Sequence, residues 1–167
     1  QKLQKNVEHR LNTIHSAFSL PLDEIHLMTL PPRHCHRLFE GYKHEEEMDF
    51  LMKQLINLNQ NRLYIIGSNQ MGTMISLPSL LKKKTLSYQS VFLIDEEGSD
   101  LIDGGDYLCV TYRGNYEQSA YWGQQLAQYA HAHKFKIRGD LLEILWIDIH
   151  TTSDESEYIT QLQLPIA

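Results

Sequence analysis

The first twenty residues place apolar side chains at every third or fourth position. This spacing predicts an amphipathic helix with one narrow apolar stripe, similar to the seam of a coiled coil. Pro21 is expected to end the helix. Two interpretations of the stripe stay open: the helix packs on its own domain, or it is the end of a longer coiled coil. The stripe consists of Leu3, Val7, Leu11, Ile14 and Phe18.

Residues 24–105 combine short apolar runs of strand length with one helical pattern. EIHLMTLPPRHCHRLFEG predicts a strand interrupted at Pro31 and Pro32, because consecutive prolines cannot sit in a central ladder and indicate an edge or a bulge. HEEEMDFLMKQLINLNQN predicts a helix with acidic residues in its first turn. RLYIIGS and SYQSVFLIDEE predict two strands, separated by a loop that contains Pro78. The first half is therefore expected to run strand, helix, strand, strand.

The second half repeats this order. DYLCVTYRG predicts a strand, and NYEQSAYWGQQLAQYAHAHKF predicts a helix with Asn115 as its N-cap and Gln118 three residues later. LLEILWIDI and EYITQLQLPI predict two strands joined by the polar turn HTTSDESE. The pattern predicts an α+β fold, in which a tandem strand-helix-strand-strand repeat forms one antiparallel sheet with helices on one side. The N-terminal helix precedes this repeat.

Composition narrows the possible functions. With 167 residues, 42% hydrophobic content and 22% charged content, the chain is expected to form one compact domain. A net charge of −6 makes it a poor nucleic-acid binder by itself, and Lys82–Lys84 is expected to be a solvated loop. Two cysteines fit a reducing compartment, the cytoplasm, rather than a disulfide framework. No apolar run reaches the roughly 18 residues of a membrane span.

Glu143 stands in an otherwise apolar run, LLEILWI. Burying a carboxylate among apolar side chains is expensive, so a compensating partner is expected. One interpretation is a structural ion pair with a nearby basic residue such as Arg138. In a regular strand the Glu143 face also carries Leu145, Ile147 and Ile149, and the opposite face carries Leu142, Ile144, Trp146 and Asp148. If Ile149 pairs with Tyr158, the Glu143 face of the last strand carries Tyr158, Thr160, Leu162 and Leu164.

Three motifs of the second half, taken in order, resemble the GyrI-like effector-binding domain. The family's pattern is an aromatic-Gly-x-Tyr turn into a helix, a Gly-led strand carrying one Glu, and a last strand ending in an apolar residue, Pro and another apolar residue. The matching residues here are Tyr112, Gly114, Tyr116, Gly139, Glu143 and Leu164-Pro165-Ile166. The resemblance covers residues 106–167 by motif and residues 24–105 by element order.

The resemblance implies the multidrug-binding, ligand-sensing domain of a MerR-type transcription regulator. In such regulators a DNA-binding domain connects through a coiled-coil dimerisation helix to a GyrI-like domain. Residues 1–20 would be the end of that helix, and residues 21–167 the effector-binding domain. The sequence begins QKLQKN and is expected to be a fragment. The implied partners are a small hydrophobic or cationic ligand, a second copy through the N-terminal helix, and DNA only through an absent N-terminal domain.

The resemblance also implies an acidic-aromatic pocket. Glu143 matches the family's glutamate at the base of the pocket, and Tyr158 matches a tyrosine on the last strand. Such a pocket suits a large, flat, apolar cation, because aromatic faces attract cations. The alternative for the aromatic residues is a place in the core. The remaining candidates are Leu145 on the Glu143 strand, Tyr116, Tyr121 and Trp122 near the second helix, and Pro31, Phe39 and Tyr64 in the first half.

Other chemistries find less support. His34 and His36 flank Cys35 at a spacing that shares a strand face, but no second ligand pair accompanies them, so no metal site is expected. No phosphate-binding Gly loop and no GxSxG motif occurs, so neither a cofactor nor an enzyme is expected. Two alternatives remain, a stand-alone GyrI-like binding or sequestering protein and a GyrI-like hydrolase with Glu143 as general base.

Overall fold

The computed structural model describes residues 2–38, 70–82, 86–148 and 151–167. The chain begins with helix α1, followed by strands on either side of a short helix, and ends with a helix between longer strands. The helices are α1 (Lys2–Phe18), α2 (Leu77–Leu81) and α3 (Gln118–Ala132), with a 3₁₀ turn at Glu155–Glu157. The strands are β1 (His26–Leu30), β2 (Arg33–Leu38), β3 (Met71–Ile75), β4 (Tyr88–Ile94), β5 (Asp100–Ile102), β6 (Gly105–Arg113), β7 (Leu141–Ile147) and β8 (Ile159–Ile166).

The strands form one curled antiparallel sheet in the order β1-β6-β8-β7-β3-β4-β2-β5. The two halves are arranged alike on either side of the central β3–β7 pair. Counting outward from the centre, β3, β4 and β2 of the first half correspond to β7, β8 and β6 of the second. The predicted α+β fold with a single antiparallel sheet is thereby confirmed. The predicted first-half helix and the RLYIIGS strand lie outside the described residues.

A long two-stranded ribbon curls the sheet. β1 pairs with β6 and β2 pairs with β5 in one continuous register, from His26↔Cys109 to Cys35↔Asp100. Pro31 and Pro32 interrupt the ribbon between β1 and β2, as expected of residues that cannot donate to a ladder. Gly104 lies against Pro32, where a Cβ would come within 2.7 Å of the proline ring. The ribbon therefore joins the outer strands of the two halves.

Both faces of the central strands are covered. Every residue of β8 is buried, and so is every residue of β7 except Trp146. On the face of the sheet that α3 covers, Leu162 and Leu164 of β8 pack against this helix, and α2 packs on α3 beside them. Burial on two sides explains why LLEILWI is a continuous apolar run rather than an alternating one.

Two local predictions were wrong. The loop predicted around Pro78 contains α2, whose N-cap Ser76 accepts a hydrogen bond from the backbone N–H of Ser79. Asn115 is not the N-cap of α3, because its side chain accepts from the N–H of Glu117, which itself precedes the helix. The Gln118 amide reaches back to the carbonyl oxygen of Arg113 instead of closing a capping box. A short turn therefore precedes α3 and carries Tyr116.

Helix α1 has the predicted extent and packs on its own domain. Ala17 and Ile14 lie against Ile147 and Ile159, at the ends of β7 and β8. The other face of the helix remains exposed and apolar, and it carries Val7, Leu11 and Phe18. Among the described stripe residues, Ile14 packs on the domain, whereas Val7, Leu11 and Phe18 are exposed, and the coiled-coil interpretation stays a prediction for these three. None of the helices in the described ranges is long and apolar enough to cross a membrane.

Candidate functional site

Glu143 lies at the centre of the sheet and is 1% exposed. It sits directly opposite Thr73 in the β3–β7 pair, and the Thr73 hydroxyl donates to Glu143 Oε1 at 3.0 Å. The Ser119 hydroxyl, from the first turn of α3, donates to Glu143 Oε2 at 2.5 Å. Tyr112 OH lies 2.7 Å from Ser119 Oγ and acts as the donor, because the single serine proton is already given to the carboxylate. Three elements thus hold the carboxylate in place.

Two tyrosine rings stack beside this carboxylate. Tyr116 and Tyr158 have ring centroids 5.3 Å apart and an interplanar angle of 25°. Both belong to an apolar cluster with Leu145, which lies two residues beyond Glu143 on β7. The cluster is completed by Met71, Val91 and Leu93, with Leu38 and Tyr88 at its margin. We call Glu143, Leu145, Tyr116 and Tyr158 the acidic-aromatic cluster.

The turn before α3 brings the two rings together. Gly114 has a φ of +116°, which strongly favours glycine, and its N–H donates to the carbonyl oxygen of Tyr158 at 2.9 Å. This bond fixes the start of the turn at the beginning of β8, so Tyr116 two residues later lies over Tyr158. The aromatic-Gly-x-Tyr motif therefore has a geometric role here.

Tyr116 is buried and lies near two carboxylates. Burial raises the pKa of the Tyr116 phenol well above its usual range, and the nearby carboxylates of Asp148 and Glu143 raise it further. The phenol therefore stays protonated, and its hydroxyl lies in a field made by two acids. A positively charged group in this region would be attracted by the same field.

The pairing of the last two strands contains a β-bulge, so it differs from the predicted arrangement. Leu145 pairs with Thr160 but Ile147 pairs with Ile159, so β7 advances two residues while β8 advances one. Glu143 lies opposite Leu162, two residues from the predicted partner Leu164, and this error leaves the face unchanged.

Beyond the bulge the predicted faces are wrong. Ile147 shares a face with Ile159, opposite to that of Leu145, because neighbours directly across a ladder share a face. Asp148 follows Ile147 and thereby turns to the Glu143 face. A bulge re-aims side chains in this way because one inserted residue shifts the alternation by one.

The other predicted site residues are distributed unevenly. Tyr121 is 57% exposed on α3, with its ring edge-on to Trp122 at 5.0 Å between centroids. Trp122 packs at the margin of the core between α3 and the sheet. Pro31 is exposed between β1 and β2, and β6 and β8 lie between β1 and β7 in the sheet order. Phe39 and Tyr64 lie outside the described residues.

Arg138 is engaged away from Glu143. Its Nε donates to the carbonyl oxygen of Ile166 at 2.7 Å and its Nη2 to that of Asp106 at 3.3 Å. Its guanidinium lies over the ring of Tyr107, 5.4 Å from the centroid. These contacts hold Arg138 at the ends of β6 and β8, so the proposed ion pair between Arg138 and Glu143 is wrong.

Sequence reasoning missed four residues of the site, namely Thr73, Tyr112, Ser119 and Asp148. Thr73 and Ser119 donate to Glu143, and Tyr112 donates to Ser119. The three residues come from separate elements, so only strand pairing and the packing of α3 reveal the arrangement. The sequence motif includes Tyr112 but gives it no role. Regular strand alternation predicts Asp148 on the opposite face. Within the described part of the chain, no three His, Cys, Asp or Glu side chains are grouped as metal ligands.

No family model and no curated protein matches the sequence. Several solved structures share its fold. The C-terminal domain of EcmrR aligns over 86% of this chain and 97% of its own, with a TM-score of 0.64 and 14% identity. EcmrR in the EcmrR–DNA complex of EcmrR-RPo aligns over 99% of this chain and 68% of its own, with a TM-score of 0.65 and 13% identity.

Two further proteins extend the comparison. SAV2435 bound to tetraphenylphosphonium aligns over 86% of this chain and 94% of its own, with a TM-score of 0.54 and 13% identity. A hydrolase from Listeria innocua aligns over 92% and 96%, with a TM-score of 0.53 and 10% identity. At these identities the likeness concerns the fold, and it confirms the GyrI-like fold predicted from the motifs.

Proposed function

We propose that this chain is the effector-binding domain of a MerR-type transcription regulator and binds a hydrophobic, cationic small molecule. The observation that carries the proposal is a buried carboxylate, Glu143, on the same sheet face as the stacked rings of Tyr116 and Tyr158. A binding site of this composition would select ligands that combine aromatic surface with positive charge. The acidic-aromatic cluster is the proposed site.

Charge and aromatic surface both favour a lipophilic cation. A carboxylate in a region of low dielectric attracts a cation more strongly than it would in water. Each tyrosine face adds about 0.5–2 kcal/mol of cation–π attraction, with the larger values at desolvated sites. SAV2435, a protein of this fold, is described as bound to tetraphenylphosphonium, a cation with four aromatic rings. That description supports the same ligand class for this chain.

Helix α1 is the proposed connection to dimerisation and DNA binding. Its exposed apolar residues, Val7, Leu11 and Phe18, lie at coiled-coil spacing and suit a second copy of the helix. DNA would be contacted by an N-terminal domain outside residues 1–167, an arrangement supported by the likeness to EcmrR. Sedimentation of a chain that includes this domain should show a dimer, and a Leu11→Glu variant that sediments identically would argue against this helix face.

A binding assay tests the ligand proposal. Trp122 and Trp146 provide intrinsic fluorescence, and tetraphenylphosphonium can be compared with triphenylphosphine oxide, a related neutral compound. We expect tighter binding of the cation to the wild-type chain and loss of that preference in Glu143→Gln. Glu117→Gln removes a charge from an exposed residue just before α3 and should bind as the wild type does. Equal affinity of the wild type for both compounds would contradict the proposal.

A hydrolase is the second candidate, favoured by the 2.5 Å contact between Ser119 Oγ and Glu143 Oε2. A carboxylate that accepts a serine proton could act as a general base, taking the proton from the Ser119 hydroxyl as that oxygen attacks an electrophilic ligand. Turnover of such a compound, lost in Glu143→Gln and reduced in Ser119→Ala, would support an enzyme. Binding of tetraphenylphosphonium without turnover of any electrophilic analogue would support the sensor.

A further inference from the structure

Asp148 is a second buried acid next to the acidic-aromatic cluster. It is 2% exposed and follows the bulge that turns it to the Glu143 face of β7. Its carboxylate acts on the Tyr116 phenol together with that of Glu143. Its backbone carbonyl accepts from the N–H groups of Thr151 and Thr152, at 2.9 and 3.1 Å, so it also starts a tight turn. The proposed site therefore contains two acids around one tyrosine.

Helix α1 supplies a positive charge to this second acid. Arg10 is 8% exposed, and its Nη2 donates to Thr151 Oγ1 at 3.0 Å in the turn that Asp148 begins. Asp148 is the carboxylate whose charge acts on this guanidinium. In the described part of the chain, Arg10 Nη1 is buried without a hydrogen-bond partner. Arg10 thus lies beside Asp148 with hydrogen-bonding capacity unused, and a buried cation of this kind is stabilised chiefly by nearby negative charge.

We infer that a cationic ligand at the acidic-aromatic cluster competes with Arg10 of α1 for the negative charge of Asp148. The inference rests on the proposed function, because it needs a cation beside Tyr116. Arg10 reaches the Asp148 turn through Thr151, and the charge of Asp148 acts on both Arg10 and the Tyr116 phenol. A bound cation neutralises part of the charge that holds Arg10, so the contact between α1 and the end of β7 weakens.

This competition gives the site a route to the N-terminal helix. The coupling is reciprocal, since a ligand that loosens Arg10 must bind more tightly when Arg10 is absent. The expected change in affinity on loss of Arg10 is opposite to that on loss of a residue that holds the ligand. Loss of Arg10 should raise the affinity for a cation, whereas loss of Asp148 should lower it. An uncharged ligand of similar shape should respond to neither change.

Calorimetric titration with tetraphenylphosphonium and triphenylphosphine oxide tests the inference on the chain of residues 1–167. Arg10→Met keeps an apolar stem of similar length and removes the charge. Lys5→Met is the matched control, because Lys5 is an exposed cation on the same helix. We expect Arg10→Met to bind the phosphonium about fivefold more tightly or better, at the lower end of typical coupling between sites. Asp148→Asn should bind it several-fold more weakly, and neither variant should alter binding of the oxide.

Hydrogen exchange of the unmodified chain provides a second measurement that needs no folded variant. Saturating tetraphenylphosphonium should speed amide exchange in the part of α1 around Arg10, and triphenylphosphine oxide should not. Unchanged or slower exchange with the phosphonium, or equal affinities of Arg10→Met and Lys5→Met, would overturn the inference. If the wild type binds no lipophilic cation at all, the proposed function itself fails. Binding that depends on Glu143 but not on Arg10 would leave that function standing and reject the competition.

Discussion

Ser119 provides a sharp test of how the sheet tolerates a buried acid. Its hydroxyl donates to Glu143 Oε2 at 2.5 Å and accepts from Tyr112, and its side chain is fully buried. Replacing Ser119 with Ala removes a hydroxyl that donates to the carboxylate. The Thr73 hydroxyl on the other oxygen remains. The substitution therefore removes two hydrogen bonds, the one that Ser119 donates to Glu143 and the one that it accepts from Tyr112.

The expected loss follows from the charge of the acceptor. A hydrogen bond to a charged group contributes about 1.5–3 kcal/mol to the free energy of unfolding. For a domain of this size, a loss of that amount lowers the Tm by about 3–12 °C, at about 2–4 °C per kcal/mol. The higher helix propensity of Ala relative to Ser offsets only about a few tenths of a kcal/mol of this loss. Ser119→Ala should therefore be clearly less stable than the wild type.

Urea unfolding followed by circular dichroism measures this loss. Ser156→Ala is the matched control, because the Ser156 hydroxyl also donates to a carboxylate, Asp154 Oδ1 at 2.7 Å, but on an exposed turn. Exposed substitutions of this kind change the unfolding free energy by about 0.5 kcal/mol or less. If Ser119→Ala and Ser156→Ala lose the same small amount, Ser119 does not stabilise a charged Glu143, and the description of the site is wrong.

Three further predictions concern the ligand, the packing and the response to pH. Replacing Tyr116 or Tyr158 with Leu should weaken tetraphenylphosphonium binding by about 2- to 30-fold, the equivalent of one cation–π contact, and unchanged calorimetric affinities would exclude stacking on these rings. Gly72→Ala should lower the free energy of unfolding in urea by about 1–3 kcal/mol, because its Cβ would overlap a β4 ring, whereas Gly139→Ala meets its nearest atom at 3.7 Å and should be neutral. Burial raises the pKa of Cys109 to about 12, so the folded state keeps a proton that the unfolded state releases above about pH 9. The free energy of unfolding should fall by up to about 1.4 kcal/mol per pH unit from about pH 9 to 12. Cys109→Ala should lessen that fall when unfolding is measured along a pH series, and an identical fall in the variant and the wild type would refute the burial argument.

Local pattern predicted the elements of the second half well. The apolar runs that form β6, β7 and β8 have clear turn signals between them. The resemblance of the motifs predicted that Glu143, Tyr116 and Tyr158 lie close together in the fold. Alternation also placed Leu162 on the correct face although the register was wrong by two residues. Such features depend on nearby sequence, where periodicity is informative.

Features that depend on distant pairing could not be predicted. The bulge between Leu145 and Ile147 has no Gly or Pro to signal it, and it alone decides that Asp148 faces the site. Thr73 and Ser119 are ordinary polar residues until the pairing of β3 with β7 and the packing of α3 bring them to Glu143. The ribbon that curls the sheet likewise arises from contacts far apart in sequence.

The same limit explains the aromatic candidates. Tyr116 and Tyr121 both lie near the start of α3 and have similar propensities. One lies in the turn set by Gly114 and is buried against Tyr158, whereas the other lies on the exposed side of the helix. The two residues differ because Tyr116 precedes α3 whereas Tyr121 lies within it. With Asn115 predicted as the N-cap, both tyrosines were expected inside the helix.

The central claim is that the charge of Glu143 selects a cation. Calorimetry with tetraphenylphosphonium and tetraphenylborate, which share their shape and differ in the sign of the charge, tests it most directly. The account predicts that the wild type prefers the phosphonium and that Glu143→Gln loses most of this preference while remaining folded by circular dichroism. A preference that is the same in the wild type and in Glu143→Gln would contradict the claim.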